Sequence, residues 1–253
     1  MGKHISFSEL KQWVQCAVYH KLIRIDKLKG FQGNEFTAFG TAIHSVCEKK
    51  LLKEEVNHEQ HFIDSFSQCI SDLPDNVEVD SRLVDQMVEQ GKVIIPEIED
   101  ALKDYFEEYE VVGIEQDLME PIEEGYNFKG FIDAVLKTSD GKYHVIDWKT
   151  TSWGWDSRRR SDPMVTYQLT FYKHFYAKKF NIDPKMIETH FALLKRTAKK
   201  NRVEIFRVTS GPRKTENALK LLNKALYNIK NKRYIKNRLS CERCEFYKTE
   251  HCP

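Results

Sequence analysis

With 253 residues, 41% hydrophobic and 31% charged, the chain is long enough to bury a sizeable core and has the balance of a globular protein. It has no apolar run of the roughly 18–20 residues that cross a bilayer, and its opening MGKHISFSEL lacks a signal peptide's apolar stretch, so the expectation is a cytoplasmic protein with no membrane partner. A net charge of +2 by itself points to no particular ligand.

The segment SFSELKQWVQC carries a capping-box pattern, Ser6 with Glu9 three residues on, and then Leu10, Trp13 and Val14 at helical spacing. A second helix fits FTAFGTAIHSVCEKKLLKEE, with Ala42, Val46 and Leu51 among its apolar positions. His58 to Tyr109 reads as further helices, interrupted by a turn at Pro74–Asn76 and strained at Pro96. Residues 1–110 are therefore expected to be mainly helical. From there the pattern changes to short β-branched and aromatic runs, VVGIEQDLMEP, FKGFIDAVLK and YHVIDWKT. Turn signals separate them at Glu123–Tyr126 and at Asp140–Gly141, which predicts three antiparallel strands, the last two joined by a tight hairpin. A helix over PMVTYQLTFYKHFYAKKF follows, then two strands, THFALLKR and VEIFRVT, around the basic turn TAKKN. These elements make residues 111–210 a sheet-and-helix portion.

Residues 211–253 form a basic helix and a cysteine-rich tail. The helix starts near Pro212 and places Leu219, Leu222, Leu226 and Ile229 on one apolar face. Between Phe191 and Ser240 stand 15 Lys+Arg against 2 Asp+Glu, so a near-neutral total hides a basic region on an acidic body. That asymmetry suits a polyanionic ligand, or equally the solvated faces of a hairpin and a helix. Six cysteines in a reducing compartment are not expected to pair as disulfides. Cys47 and Cys69 read as small core residues, whereas Cys241, Cys244 and Cys252 crowd the tail at metal-ligand spacing.

The chemistry concentrates in GFIDAV and VIDWKT. The Asp140–Gly141 hairpin folds Asp133 back toward Asp147, and residues two apart on a strand share a face, so Lys149 joins Asp147. Two carboxylates and one ammonium then converge, and hard oxygen ligands suit Mg²⁺ or Mn²⁺. An exposed charged pair would show the same Asp-x-Lys spacing. Ile132, Val145 and Ile146 instead embed these charges in an apolar strand, where they are costly unless paired or bound to metal.

This arrangement, followed by a helix with Gln168 and Tyr172, resembles the PD-(D/E)XK nuclease superfamily, and within it the RecB-like branch. Gly40 and His44 are similar to that branch's Gly-x-x-x-His motif, which implies a metal-ligating His44. The resemblance also implies a first shell completed by the Trp148 backbone carbonyl. Gln168-x-x-x-Tyr172 resembles a motif implicated in holding the DNA strand, though any amphipathic helix could carry it. Glu115 is either an added site carboxylate or a surface residue. Cys16 with Cys241, Cys244 and Cys252 resembles the iron–sulfur subgroup of CRISPR-adaptation and AddB-type exonucleases, which implies a [4Fe–4S] cluster; structural zinc is the alternative. The Asp at 147, where Glu is more frequent, and the seven residues between Cys244 and Cys252 depart from the pattern.

The implied fold is α/β and restriction-endonuclease-like: a central mixed sheet flanked by helices, with an N-terminal helical region and a C-terminal cysteine-rich tail. A single nuclease domain over 1–253 is expected. The implied function is metal-dependent hydrolysis of DNA, as an exonuclease on single strands or ends in recombination, repair, replication or CRISPR adaptation, with protein partners possible. The alternative is a DNA-binding or assembly subunit with secondary or vestigial cutting. SWGWDSRRRSDP, rich in Trp and Arg, is placed to clamp a single strand, or else to pack on the body.

Overall fold

A computed structural model describes residues 3–123 and 125–253. In chain order the elements are β1 (Lys3–Ser6), α1 (Phe7–Gln15), α2 (Ala17–His20), α3 (Glu35–Leu51), α4 (His58–Ser71), α5 (Ser81–Ile94), α6 (Glu97–Phe106), β2 (Tyr109–Glu123), β3 (Tyr126–Thr138), β4 (Tyr143–Thr151), α7 (Ser157–Ser161), α8 (Pro163–Phe180), β5 (Ile187–Lys195), β6 (Val203–Val208) and α9 (Pro212–Lys230). The fold is the expected α/β type, a mixed sheet flanked by helices. No helix among the described residues is long and apolar enough to cross a membrane. In the turn expected at Glu123–Tyr126, Glu124 lies outside the described residues.

The chain divides into two compact units. The larger comprises residues 32–117 and 131–209, the smaller residues 1–31, 118–130 and 210–253. In the larger unit β3 and β4 pair antiparallel, with Ala134 opposite Ile146, and Gly141 turns the hairpin at φ 80°. α8 carries the chain back, so that β5 lies parallel to β4 from Tyr143–Ile187 to Thr151–Lys195. β6 returns antiparallel to β5. Period two then sorts the side chains. Ala134, Leu136, Ile146, Trp148, Ala192 and Leu194 enter one core with apolar residues of α3 to α6, leaving odd-numbered positions of β3 and β4 on the other face. That core includes Phe39, Phe62 and Phe66, whose ring centroids lie 5.4–5.8 Å apart. Cys47 is fully buried in it and Cys69 packs against it, as the helical patterns implied.

In the smaller unit β1 pairs parallel with the start of β3, Lys3 opposite Tyr126 to Ser6 opposite Lys129, so the sequence before the first helix is a strand. Ser6 caps α1 by accepting from the Glu9 N–H at 3.2 Å. The reciprocal half of the expected capping box is not used: the Glu9 carboxylate bonds His20 Nε2 at 2.8 Å. Cys16 ends α1 and precedes α2 with an extended backbone, φ −166°, which separates two helices in what read as one. On α9, Leu222 and Leu226 are buried together with Ala218 and Ala225.

Candidate active site

All candidate nuclease residues lie in the larger unit. Asp133 stands one position before the ladder pair Ala134–Ile146, and Asp147 one position after it, so the hairpin brings the two carboxylates together. The Trp148 N–H donates to Asp133 Oδ2 at 2.7 Å, which fixes the Asp133 carboxylate against β4. His44 on α3 places Nδ1 3.8 Å from the same oxygen. Asp147 is 1% exposed, and its Oδ2 forms an ion pair with the Lys149 ammonium. That oxygen has no oriented hydrogen bond among the described residues, so it is a buried acceptor with capacity to spare. The Lys149 ammonium also lies 5.9 Å from the Phe191 ring centroid.

Electrostatics follow from this crowding. Burial pushes the Asp133 carboxyl well above the ordinary carboxylate range, and the Asp147 charge adds to it; the Lys149 ammonium opposes both. Burial also raises Asp147, against the pull of Lys149. Burial, then the Lys149 charge, lowers His44 to about 4, so its ring is neutral near pH 7 with lone pairs free to ligate. Two crowded carboxylates, a neutral imidazole and an underused buried oxygen are the donor set of a divalent cation site, and the residues fit such an ion. Without one, relief for the pair comes from Lys149, the Trp148 N–H or a proton.

Gln168 and Tyr172 face one way on α8, and Gln168 Nε2 donates to Tyr172 Oη at 3.0 Å. Tyr172 is buried, and burial together with the negative charges of Asp147, Asp133 and Glu115 drives its phenol far above the usual range. The hydroxyl thus keeps its proton and feels the carboxylate pair. Glu115 is exposed and holds a left-handed backbone, φ 44°, rare for a residue with a Cβ. Its carboxyl is raised by burial and by Asp147, and it shares a hydrogen bond with Glu48. Glu48 was absent from the expected set. The signal that could have found it is its place four residues after His44, on the same face of α3.

The Trp- and Arg-rich segment divides in two. Trp155 is buried, 5.0 Å from Phe191 and 6.1 Å from Phe206 between centroids, with the Arg159 guanidinium 4.7 Å above it. Arg160 donates to the Trp155 carbonyl at 2.8 Å and to Glu204 at 2.5 Å. Trp153, in contrast, is 63% exposed. Replacing Trp155 with Ala is expected to destabilise the larger unit by about 3–5 kcal/mol. Trp153→Ala should leave thermal melting unchanged, and equal losses in the two melts would contradict this division.

The cysteines of the proposed cluster all belong to the smaller unit. The Asn237 N–H reaches Cys16 Sγ at 3.3 Å, and the Cys241 thiol donates to the Asn237 carbonyl at 3.7 Å. Cys244 is raised by burial, against a hydrogen bond from the Phe246 N–H, with Glu245 and then Cys252 and Cys16 adding smaller effects. Cys252 joins Leu22 and Phe246 in a small apolar cluster against which Cys244 packs. All four are free thiols, and both ends of the chain supply them.

No curated protein sequence matches the chain. Among solved structures, one described provisionally as an exonuclease from Eubacterium rectale is similar at 14% identity and a TM-score of 0.62, covering 96% of this chain and 86% of that one. A second, described as SSO0001, gives a TM-score of 0.42 at 14% identity, over 96% of this chain and 84% of its own. The first supports the fold drawn from the strand order. A family model of the PD-(D/E)XK nuclease superfamily matches residues 4–249, nearly the full length and both units, and the chain belongs to that superfamily.

Proposed function

We propose that the chain is a Mg²⁺- or Mn²⁺-dependent deoxyribonuclease of the RecB-like, iron–sulfur branch, acting as an exonuclease on single strands or DNA ends in recombination, repair, replication or CRISPR adaptation. The observation that carries this reading is the convergence of Asp133, Asp147 and Lys149, with neutral His44 beside them. Asp133, Asp147, His44 and the Trp148 carbonyl are the ligands, and Glu115 is a further carboxylate at the rim. A divalent ion bound there supplies a water of lowered pKa and offsets charge on the phosphate. Trp148 holds one Asp133 oxygen and leaves the other for ligation. Lys149 favours the ionised form of Asp147 against its burial and presents positive charge where the phosphate's negative charge builds. Because Gln168 donates to Tyr172, the phenol proton remains for a phosphate oxygen, which is how this pair would hold the strand. A time course on end-labelled single- and double-stranded DNA with Mg²⁺, Mn²⁺ or EDTA tests the reading. No metal-dependent cleavage of any end or strand would reject it.

We assign strand binding to exposed groups of the β5–β6 turn and of the segment after β4. Lys199 and Lys200 are exposed at the β5–β6 turn. Lys195 and Arg196, which the charge count grouped with them, have structural work. Lys195 bonds Glu204 at 3.2 Å, and buried Arg196 bonds Gln90 and Ser152 and lies 4.8 Å from the Phe36 ring. The double change Lys199→Ala, Lys200→Ala should weaken DNA binding and reduce its salt slope by about 0.7–0.9 per lost phosphate contact. Arg196→Ala should lower stability instead. Trp153→Ala should weaken single-strand binding by about 1–3 kcal/mol, the value of one stacked base. A salt slope unchanged in the double variant would mean that this turn does not meet the nucleic acid.

A further inference from the structure

Two buried histidines take no part in the nuclease centre. His144 near the start of β4 and His190 on β5 project from the opposite face of the sheet to Asp147, toward the core built with α6. His190 is 1% exposed and His144 7%. His144 Nδ1 and His190 Nε2 are 3.0 Å apart, and Phe106 lies against both rings at 4.9 and 5.1 Å. Glu188, two residues before His190, adds a carboxylate oxygen, and that oxygen and one nitrogen from each ring all lie within 4.8 Å of one another. Among the described residues this is the one set of three His, Cys, Asp or Glu ligand atoms so close together.

The hydrogen bonds fix the tautomers. The Thr138 hydroxyl donates to Asp140 Oδ1 at 2.6 Å, so at 2.9 Å it accepts from His144 Nε2–H. His144 Nδ1 is then a bare lone pair and His190 Nε2–H donates to it. His190 Nδ1 is left buried with no partner among the described residues. The ring-to-ring bond and the Thr138 bond contribute only about 1 kcal/mol each, little against burying two imidazoles, one of them with an unpaired nitrogen, beside Ile146, Ala192 and Leu194.

We propose that His144 Nδ1, His190 Nε2 and the Glu188 carboxylate bind a transition metal ion of the zinc class, with solvent as the fourth ligand. Two imidazoles and one carboxylate are a known zinc donor set. Tetrahedral bonds of about 2.0–2.1 Å separate two nitrogens by about 3.3 Å, so on binding the pair opens by a few tenths of an ångström and both rings turn to aim their lone pairs at the ion. The ion replaces the proton between the rings; the His190 proton moves to Nδ1 and the ring stays neutral. Thr138 already orients the His144 ring from its far nitrogen, the outer support that ligating histidines require. Lys142 and Arg207 hold Glu188 at 3.6 and 3.3 Å, and both are exposed enough to swing away. The ion would join β4, β5 and the β3–β4 hairpin at the end of the sheet, as a structural element separate from the nuclease metal.

The test is a Zn²⁺ titration of the full chain against a competing chelator. The wild type should take up one equivalent more than His190→Asn, and Glu188→Gln should weaken that equivalent by at least about tenfold. Glu188→Gln keeps both rings and the ring-to-ring bond, so it decides the matter even where His190→Asn fails to fold. The ring nitrogens of His144 and His190 should shift together in nitrogen NMR as the equivalent binds. Equal zinc stoichiometry and affinity in the wild type and folded Glu188→Gln would overturn the proposal.

Discussion

Asp133→Asn is expected to lower cleavage by at least about a thousandfold and, at the same time, to raise the melting temperature of the metal-free protein. The loss of cleavage follows from removing one of the two carboxylates that crowd the candidate cation site. The gain follows from what that crowding costs without a cation. Burial and the Asp147 charge both push the Asp133 carboxyl up. A carboxyl with a folded pKa above its unfolded value holds its proton more tightly in the fold. It therefore detracts from stability as pH rises through the folded pKa, and the penalty vanishes below the unfolded value near 4. Asn carries no such penalty, and its side-chain oxygen can still accept from the Trp148 N–H. Near pH 7, without metal, the variant should be more stable by about 1–2 kcal/mol, or roughly 3–6 °C. The difference should close toward pH 4. Saturating Mn²⁺ should reverse the order, because the wild type, with both carboxylates, gains more of the ion's binding energy. A metal-free melt in which Asp133→Asn is less stable at pH 7 would show that its carboxylate is structural.

That constellation is legible from the sequence because each step is local. The Asp140–Gly141 turn sets the register, and the spacing of two sets the face, so Asp133, Asp147 and Lys149 converge whatever the rest of the chain does. Features that depend on distant partners are not legible in this way. The four residues Lys3–Ser6 become a strand only because residues 126–129 pair with them. Arg196 reads as a surface cation until Gln90, Ser152 and Phe36 surround it. Trp153 and Trp155 are two apart and look alike, yet only Trp155 meets Phe191 and Phe206 on β5 and β6. His144 and His190 are isolated residues 46 positions apart, and it is the parallel pairing of β4 with β5, made through α8, that brings them together.

Cys16→Ser is expected to have the largest effect away from the nuclease centre. The tail of the smaller unit buries little. Leu239 is 96% exposed and Ile235 76%, and its apolar contacts centre on Leu22, Phe246 and Cys252. A few polar contacts tie it to the N-terminal helices: Tyr19 to Glu245 at 3.0 Å, the Phe31 N–H to Glu245 at 3.1 Å and Asn237 to the Gln15 carbonyl at 2.9 Å. Such contacts contribute about 0.5–1.5 kcal/mol each, less when exposed, which is little against the ordering of a segment this long. A centre held by Cys16, Cys241, Cys244 and Cys252 would close the loop from residue 16 to the tail, and metal–thiolate bonding of this kind is folding energy. Cys16 is also where α1 gives way to α2, so its sulfur is offered at a bend and not along a helix face. The wild type, purified without oxygen, should be brown with broad absorption near roughly 400 nm. Cys16→Ser should lose that colour, melt on the order of 10 °C lower, and become protease-sensitive between residues 231 and 253. Colourless protein with stoichiometric zinc on the same four thiols would replace iron by zinc and keep the clip. Four freely titratable thiols in metal-free, active, fully folded enzyme would reject both.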